Sequence, residues 1–299
     1  MGTPKFSVRT LEVLIKSEFK ISCVYTQQPK KSSRGQKIKK TPVQLAAEIH
    51  NLNVRSPSDI NDEEEYLYFK SLAPYLVIVV AYGQIIPKRF LELPEKGFLN
   101  IHASLLPKLR GAAPIQRSII NSEKETGISI MKIEEGLDTG PYMKQVKINI
   151  DKQTNSEELS KKLSELGAKN ILGSIDLITN NQAKFIKQDS NNVTYAKKIS
   201  KKESRISWQD SAEKNLAKIN GLNPTPGAWF EYKGLRYKIW RAKIVNTSAM
   251  PGEIIDENLI IACKNQALEV IEIQKENKKK LLISDFLKGT KIPKGEIIY

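Results

Sequence analysis

Tyr75-Leu76-Val77-Ile78-Val79-Val80-Ala81 carries neither a charge nor a turn former. A continuously apolar run of this length, rich in β-branched residues, predicts a central strand covered by helices on both faces, as strands of parallel sheets are. On either side of it, short apolar runs alternate with helical patterns, the signature of βα units. Upstream, Val8, Leu11, Val13, Leu14 and Ile15 have helix-compatible spacing over residues 7–17, and residues 20–26 read as a strand. Thr41-Pro42 opens a helix that runs to about His50: Thr41 can accept a hydrogen bond from an early helical N–H, and Pro42 suits the first helical position. Downstream, strands are predicted over residues 97–103 and 127–133, and helices over about 112–121 and 157–178. The first half is therefore expected to be α/β and Rossmann-like, with a parallel sheet.

Residues 181–202 lose this periodicity and are polar and Lys-rich, so they read as a basic linker between a domain at 1–180 and a second at 203–299. In the second domain one helix (212–220) precedes a Pro224-Thr225-Pro226-Gly227 turn. Short strands follow at 228–232, 235–244, 258–263 and 267–273, which suggests a small β-barrel.

The chain has 299 residues, with 48 Lys and Arg against 33 Asp and Glu. The difference, 48 − 33 = +15, points to a polyanionic partner. A hydrophobic content of 40% with 27% charged residues argues against wholesale disorder, collagen or a coiled coil. Cys23 and Cys263 are too few and too far apart for a disulfide framework or a metal cluster, and no apolar run approaches the roughly 20 residues of a spanning helix. The expectation is a cytoplasmic monomer without metal and without a membrane segment.

The chemistry concentrates in Asn100-Ile101-His102-Ala103-Ser104-Leu105-Leu106-Pro107-Lys108-Leu109-Arg110-Gly111-Ala112-Ala113-Pro114-Ile115-Gln116. Asn100 and His102 lie two apart at a predicted strand end, so both point to one face, and ligands of open α/β sheets bind beyond such ends. On strand position alone, His102 also fits a buried histidine satisfied by a backbone carbonyl. Asp138, within Glu135-Gly136-Leu137-Asp138-Thr139-Gly140, is explained in isolation by turn chemistry. In combination, a carboxylate that orients an imidazole and an amide that stabilises an oxyanion make the parts for acyl-type transfer to an amine, with no Ser or Cys nucleophile.

These two segments resemble the methionyl-tRNA formyltransferase family. The resemblance extends through Ala81-Tyr82-Gly83-Gln84-Ile85-Ile86-Pro87, Glu125-Thr126-Gly127, Thr194-Tyr195-Ala196-Lys197-Lys198-Ile199 and Pro224-Thr225-Pro226-Gly227-Ala228, and so covers both domains. It implies formyl transfer from 10-formyltetrahydrofolate to the α-amine of methionine on the initiator tRNA. Asn100, His102 and Asp138 match the family's catalytic trio. Ser104, Leu105, Leu106 and Pro107 match its folate-contacting motif, and the backbone of Ala81, Tyr82 and Gly83 is expected to line the pterin pocket. An OB-like second domain is implied as well.

Residues 30–40 carry Lys30, Lys31, Arg34, Lys37, Lys39 and Lys40 and no acid. On charge alone this could be a solvated loop; in the resembled family the corresponding loop meets the tRNA acceptor end, and Arg34 matches its key arginine. Tyr232, Tyr237 and Trp240, interleaved with bases, suit either nucleic acid or a barrel core. The family carries an apolar strand just before its Gly-Thr-Pro turn, here Gly2-Thr3-Pro4. A first strand is thus expected to be missing, its neighbours left without partners and the core opened, with translation starting upstream or the protein shortened. Competing readings are another 10-formyltetrahydrofolate-dependent transferase, acting on a nucleotide or amino sugar, and a noncatalytic RNA-binding protein. A nucleotide-dependent oxidoreductase is disfavoured, since no G-x-G-x-x-G follows a strand in the first half.

Overall fold

The computed structural model describes residues 1–32 and 37–298 and divides into two compact units. The first comprises Met1–Gly111, Thr126–Ile148 and Ser160–Tyr195; the second comprises Ala112–Glu125, Asn149–Leu159 and Ala196–Tyr299. In chain order the elements are α1 (Lys5–Ile15), β1 (Val24–Tyr25), β2 (Lys30–Ser32), β3 (Lys37–Lys39), α2 (Pro42–Ile49), β4 (Val54–Arg55), α3 (Glu63–Ser71), β5 (Val77–Val79), α4 (Lys88–Leu91), β6 (Phe98–His102), α5 (Pro114–Ile120), β7 (Glu125–Lys132), β8 (Tyr142–Asn149) and α6 (Ser156–Thr179). They continue with α7 (Ala212–Gly221), β9 (Ala228–Tyr232), β10 (Leu235–Val245), β11 (Ile260–Ala262), β12 (Ala267–Lys275), β13 (Leu281–Leu282) and α8 (Ile283–Gly289).

The helix α2 begins where its cap places it. Thr41 Oγ1 accepts from the Gln44 amide at 3.0 Å, and Pro42 occupies the first turn. Its Val43 and Ala47 pack against Leu11 and Val24. In α3, Glu63, Glu64 and Glu65 in the first turn and Lys70 in the last complement the helix dipole. Phe69 of this helix meets Tyr25, Phe90 and Phe98 at ring-centroid distances of 5.8, 5.2 and 6.1 Å and anchors one core.

The main sheet has the order β5-β6-β7-β8. Its β5–β6 pair is parallel, with Val79 opposite Asn100, whereas β6–β7 is antiparallel, with His102 opposite Ser129. The sheet is therefore mixed: β5–β6 follows the expected parallel arrangement, and β7 adds an antiparallel neighbour. The strand β8 escapes pattern reading because its Lys144, Gln145 and Lys147 interrupt any apolar run. A parallel β1–β4 pair stands separately, and Met1 and Gly2 lie between it and β5. The Met1 amino group donates to Ile78 O at 2.7 Å, Met1 O accepts from Val80 N at 2.9 Å, and Gly2 N donates to Tyr25 O at 2.9 Å. Gly2 stands opposite Val80 in an isolated parallel bridge. Alongside lies a cavity of about 430 Å³, lined by apolar side chains that include Leu11, Leu14, Phe69, Val77 and Ile175; Asn100, His102 and Asp138 do not border it.

In the second unit an antiparallel sheet runs β11-β12-β10-β9, with β13 on β12. The helix α7, capped by Ser211, which accepts from Lys214 N at 3.2 Å, shares a core with it through Leu216, Ile219, Phe230, Tyr237 and Val270. Tyr237 is 2% exposed and stacks on Phe230 at 5.5 Å, so this aromatic is core. Arg236, Arg241 and Lys243 on the same strand are exposed. Among the described residues no helix is long and apolar enough to cross a membrane.

Candidate active site

The strand β6 supplies the first two residues. Its positions are buried except Asn100, which is half-buried, and the period of two puts Asn100 and His102 on one face. The Asn100 side chain makes no hydrogen bond with any described residue, so its amide is available to a ligand.

His102 is 6% exposed, and its Nε2 lies 3.0 Å from Leu109 O. A carbonyl only accepts, so in the neutral ring Nε2 carries the proton and the lone pair sits on Nδ1. That nitrogen faces Asp138 Oδ2 at 3.6 Å, too long for a hydrogen bond but close enough for a protonated ring and a carboxylate to attract each other. The same oxygen accepts from Gly111 N at 2.8 Å. His102 is thus both a histidine satisfied by a backbone carbonyl and the neighbour of a carboxylate. Leu109 and Asp138 adopt left-handed backbone angles, φ 58° and 52°. For Leu109 this costs on the order of 1–3 kcal/mol and the surrounding bonds must hold it, whereas Asp is a residue type that tolerates it in turns.

Those bonds come from the residues 188–195. Leu109 N donates to Thr194 Oγ1 at 2.8 Å and Arg110 N to Thr194 O at 2.9 Å. Arg110, 8% exposed, donates through Nε and Nη2 to Gln188 Oε1 at 3.0 and 2.8 Å. The Gln188 amide nitrogen donates in turn to Asp138 O at 2.8 Å and Gly140 O at 2.7 Å. Gly140 itself packs against β7: a Cβ there would stand 2.0 Å from Lys132 O.

The segment Ser104–Pro107 is held from inside. Ser104 Oγ donates to Lys108 O at 2.6 Å, and Ser129 Oγ donates to Ser104 O at 2.7 Å while accepting from Leu106 N and the Gln145 amide. The Ser104 and Leu106 side chains are buried, whereas Leu105 and Pro107 are half-buried. After β5, Ala81 and Gly83 are exposed with φ 47° and 91°. Tyr82 between them is buried, its phenol pushed up by that burial and its carbonyl taken by Thr3 Oγ1 at 2.7 Å. At 83 glycine removes the cost of a positive φ and leaves room for the Gln27 side chain, whose Nε2 would stand 3.3 Å from an added Cβ.

The basic stretch forms a hairpin rather than a plain loop, with Lys30 opposite Lys39 and Lys31 opposite Ile38. Lys30 and Lys39 are exposed and form no ion pair with any described residue, whereas Lys40 is bound to Glu48 at 2.7 Å. Lys37 lies on β3, and Arg34 falls outside the described residues. Leu109, Gly111 and Thr194 belong to the motif segments and Ser129 to a predicted strand, yet the sequence assigns them no role, and Gln145 and Gln188 carry no signal there. Several act through backbone groups, which carry no sequence signal, and Gln188 sits in a polar stretch without periodicity.

Residues 1–175 match the formyl transferase family model, and residues 198–291 match the model of the formyl transferase C-terminal domain. Formyl transferase is the class that this fold and site define. The methionyl-tRNA formyltransferase of Pelagibacter ubique (strain HTCC1062) is 52% identical over 300 aligned residues, covering 100% of this chain and 97% of the relative; that of Rickettsia prowazekii (strain Madrid E) is 41% identical, covering 100% and 98%. The chain belongs to the methionyl-tRNA formyltransferase family. In fold it is similar to a sugar 3N-formyl transferase solved with dTDP and 5-N-formyl-THF, with a TM-score of 0.67 at 20% identity over 93% of this chain and 97% of the other.

Proposed function

We propose that the chain transfers the formyl group of 10-formyltetrahydrofolate to the α-amine of methionine esterified to the initiator tRNA, acting as a cytoplasmic monomer in translation initiation. Family membership and the placement of His102 between the Leu109 carbonyl and Asp138, with the unpartnered Asn100 amide on the same strand face, support this reading. In it, residues 1–180 carry the catalytic trio, 181–202 link while their Gln188 and Thr194 brace the site, and 203–299 bind tRNA.

The Leu109 carbonyl holds the ring as the Nε2–H tautomer, so Nδ1 is the basic atom. Nδ1 takes the proton that the attacking amine must lose, and the imidazolium then faces the Asp138 carboxylate, which stabilises it. The Asn100 amide donates to the formyl oxygen as that oxygen gains negative charge. The donor's folate part would be held by the Ser104–Pro107 segment and the exposed backbone of Ala81 and Gly83, beside buried Tyr82 and the Gln27 side chain that packs against Gly83. Bound there, it supplies an activated formyl carbon. No metal takes part in this scheme.

The tRNA contact falls on Lys30, Lys31, Arg34, Lys37 and Lys39, with Lys40 contributing less because Glu48 already neutralises it. Charge reversal at the two exposed, opposed lysines tests this. The pair Lys30→Glu and Lys39→Glu is expected to raise the KM for methionyl-tRNA about tenfold or more and to flatten its log–log salt dependence by about two units, while KM for the formyl donor holds. Unchanged tRNA affinity and salt slope would remove the hairpin from the interface.

A further inference from the structure

The structure assigns Gln188 as a positioning residue that sets the Asp138 carboxylate against His102, with Arg110 as its anchor. The inference rests on the reading of His102 and Asp138 as the catalytic pair. Asp138 sits in the left-handed region, a turn conformation that the rest of the loop must keep in place. Its carbonyl and that of Gly140 both receive the Gln188 amide, at 2.8 and 2.7 Å, so one side chain bridges the turn that carries the carboxylate. The carboxylate is held separately by Gly111 N.

Arg110 ties the two halves together. Its neighbours in sequence are Leu109, whose carbonyl holds His102, and Gly111, whose amide holds Asp138. Its buried guanidinium forms no ion pair with any described residue and places two donors on the single oxygen of Gln188. A cation on the oxygen of an amide polarises it and strengthens the donors on its nitrogen, which are the ones that hold the Asp138 turn. The bonds close a ring through Arg110, Gln188, Asp138 and Gly111, and Leu109 O ties His102 to it. A guanidinium with a carboxylate partner would be neutralised locally; with glutamine as partner its charge adds to the field at the Asp138 turn.

Two substitutions separate this role from plain packing. Gln188→Met keeps volume but removes both donors and the acceptor; Gln188→Glu keeps an acceptor for Arg110 while removing the donors to Asp138 O and Gly140 O. Both are expected to lower kcat about tenfold to a hundredfold, as displacement of a reacting group by about an ångström does, with KM for both substrates within about threefold. The chain contains only two histidines, His50 and His102, so the ring nitrogen NMR signals of His102 are assigned with one His50→Gln control. These signals are expected to move in both variants without substrate, as the carboxylate leaves Nδ1. Wild-type kcat in Gln188→Glu, or unmoved His102 signals in both variants, overturns the assignment. The NMR readout needs no turnover, so it decides the positioning role even if His102→Ala were to keep activity, a result that would instead remove the catalytic reading.

Discussion

His102→Ala is expected to lower kcat for formyl transfer by about a thousandfold, within the range of roughly 10²–10⁴ that a positioned acid–base group contributes. KM for methionyl-tRNA should stay within a few-fold, because the cations assigned to the tRNA lie on the β2–β3 hairpin and not at the end of β6. The size of the effect follows from the geometry. The ring is buried, its tautomer is set by Leu109 O, and its basic nitrogen faces a carboxylate that is in turn fixed by Gly111 N. No other histidine can replace it, since His50 is the C-cap of α2, and among the described residues no His, Cys, Asp or Glu cluster could hold a metal to generate an alternative base. Steady-state kinetics with each substrate varied in turn checks the prediction; a loss below about tenfold would contradict the role given to His102.

Gly140→Ala is expected to abolish activity by moving a backbone. The added Cβ would stand 2.0 Å from Lys132 O and 2.9 Å from Lys132 C, well inside contact distance with main-chain atoms that cannot rotate away. Either the 138–140 turn or the end of β7 must shift. A shift of the turn breaks the Gln188 bonds and carries the Asp138 carboxylate away from His102; a shift of β7 strains the pairing of Leu99 with Lys132. The expected result is a fall in kcat of more than a hundredfold together with a loss of stability of several kcal/mol, measured by urea unfolding of the same preparation. Near wild-type values of both would mean that Gly140 does not make this close approach.

Local chemistry accounts for what the sequence makes legible. The Thr41–Pro42 cap, the β-branched run before Ala81 and the strand at Ala228–Tyr232 each state their own conformation, and the folded elements follow them. The strand β8 and the hairpin at Lys30–Lys39 lack such a signal, and the helix α3 has only its terminal charges. In β8, lysines occupy exposed positions; in α3, the buried Glu65 is met at 2.6 Å by Arg55, ten residues before it, and by the Tyr25 hydroxyl, forty before it. The site divides in the same way. Asn100, His102 and Asp138 are chemical groups that a reader can pick out, while the parts that orient them, Leu109 O, Gly111 N and a glutamine 50 residues after Asp138, are main-chain atoms and a long-range contact. Even the mixed sheet is long-range in origin, since only the register from Leu99 opposite Lys132 to His102 opposite Ser129 reveals that β7 runs against β6.

The most direct test of the account is to offer the purified chain 10-formyltetrahydrofolate with methionyl initiator tRNA and, in parallel, with an amino-sugar nucleotide, and to follow the acid-stable formyl group on each amine. The account predicts rapid formylation of the methionyl-tRNA and none of the sugar. Formylation of the sugar nucleotide alone, or of neither acceptor, would contradict it.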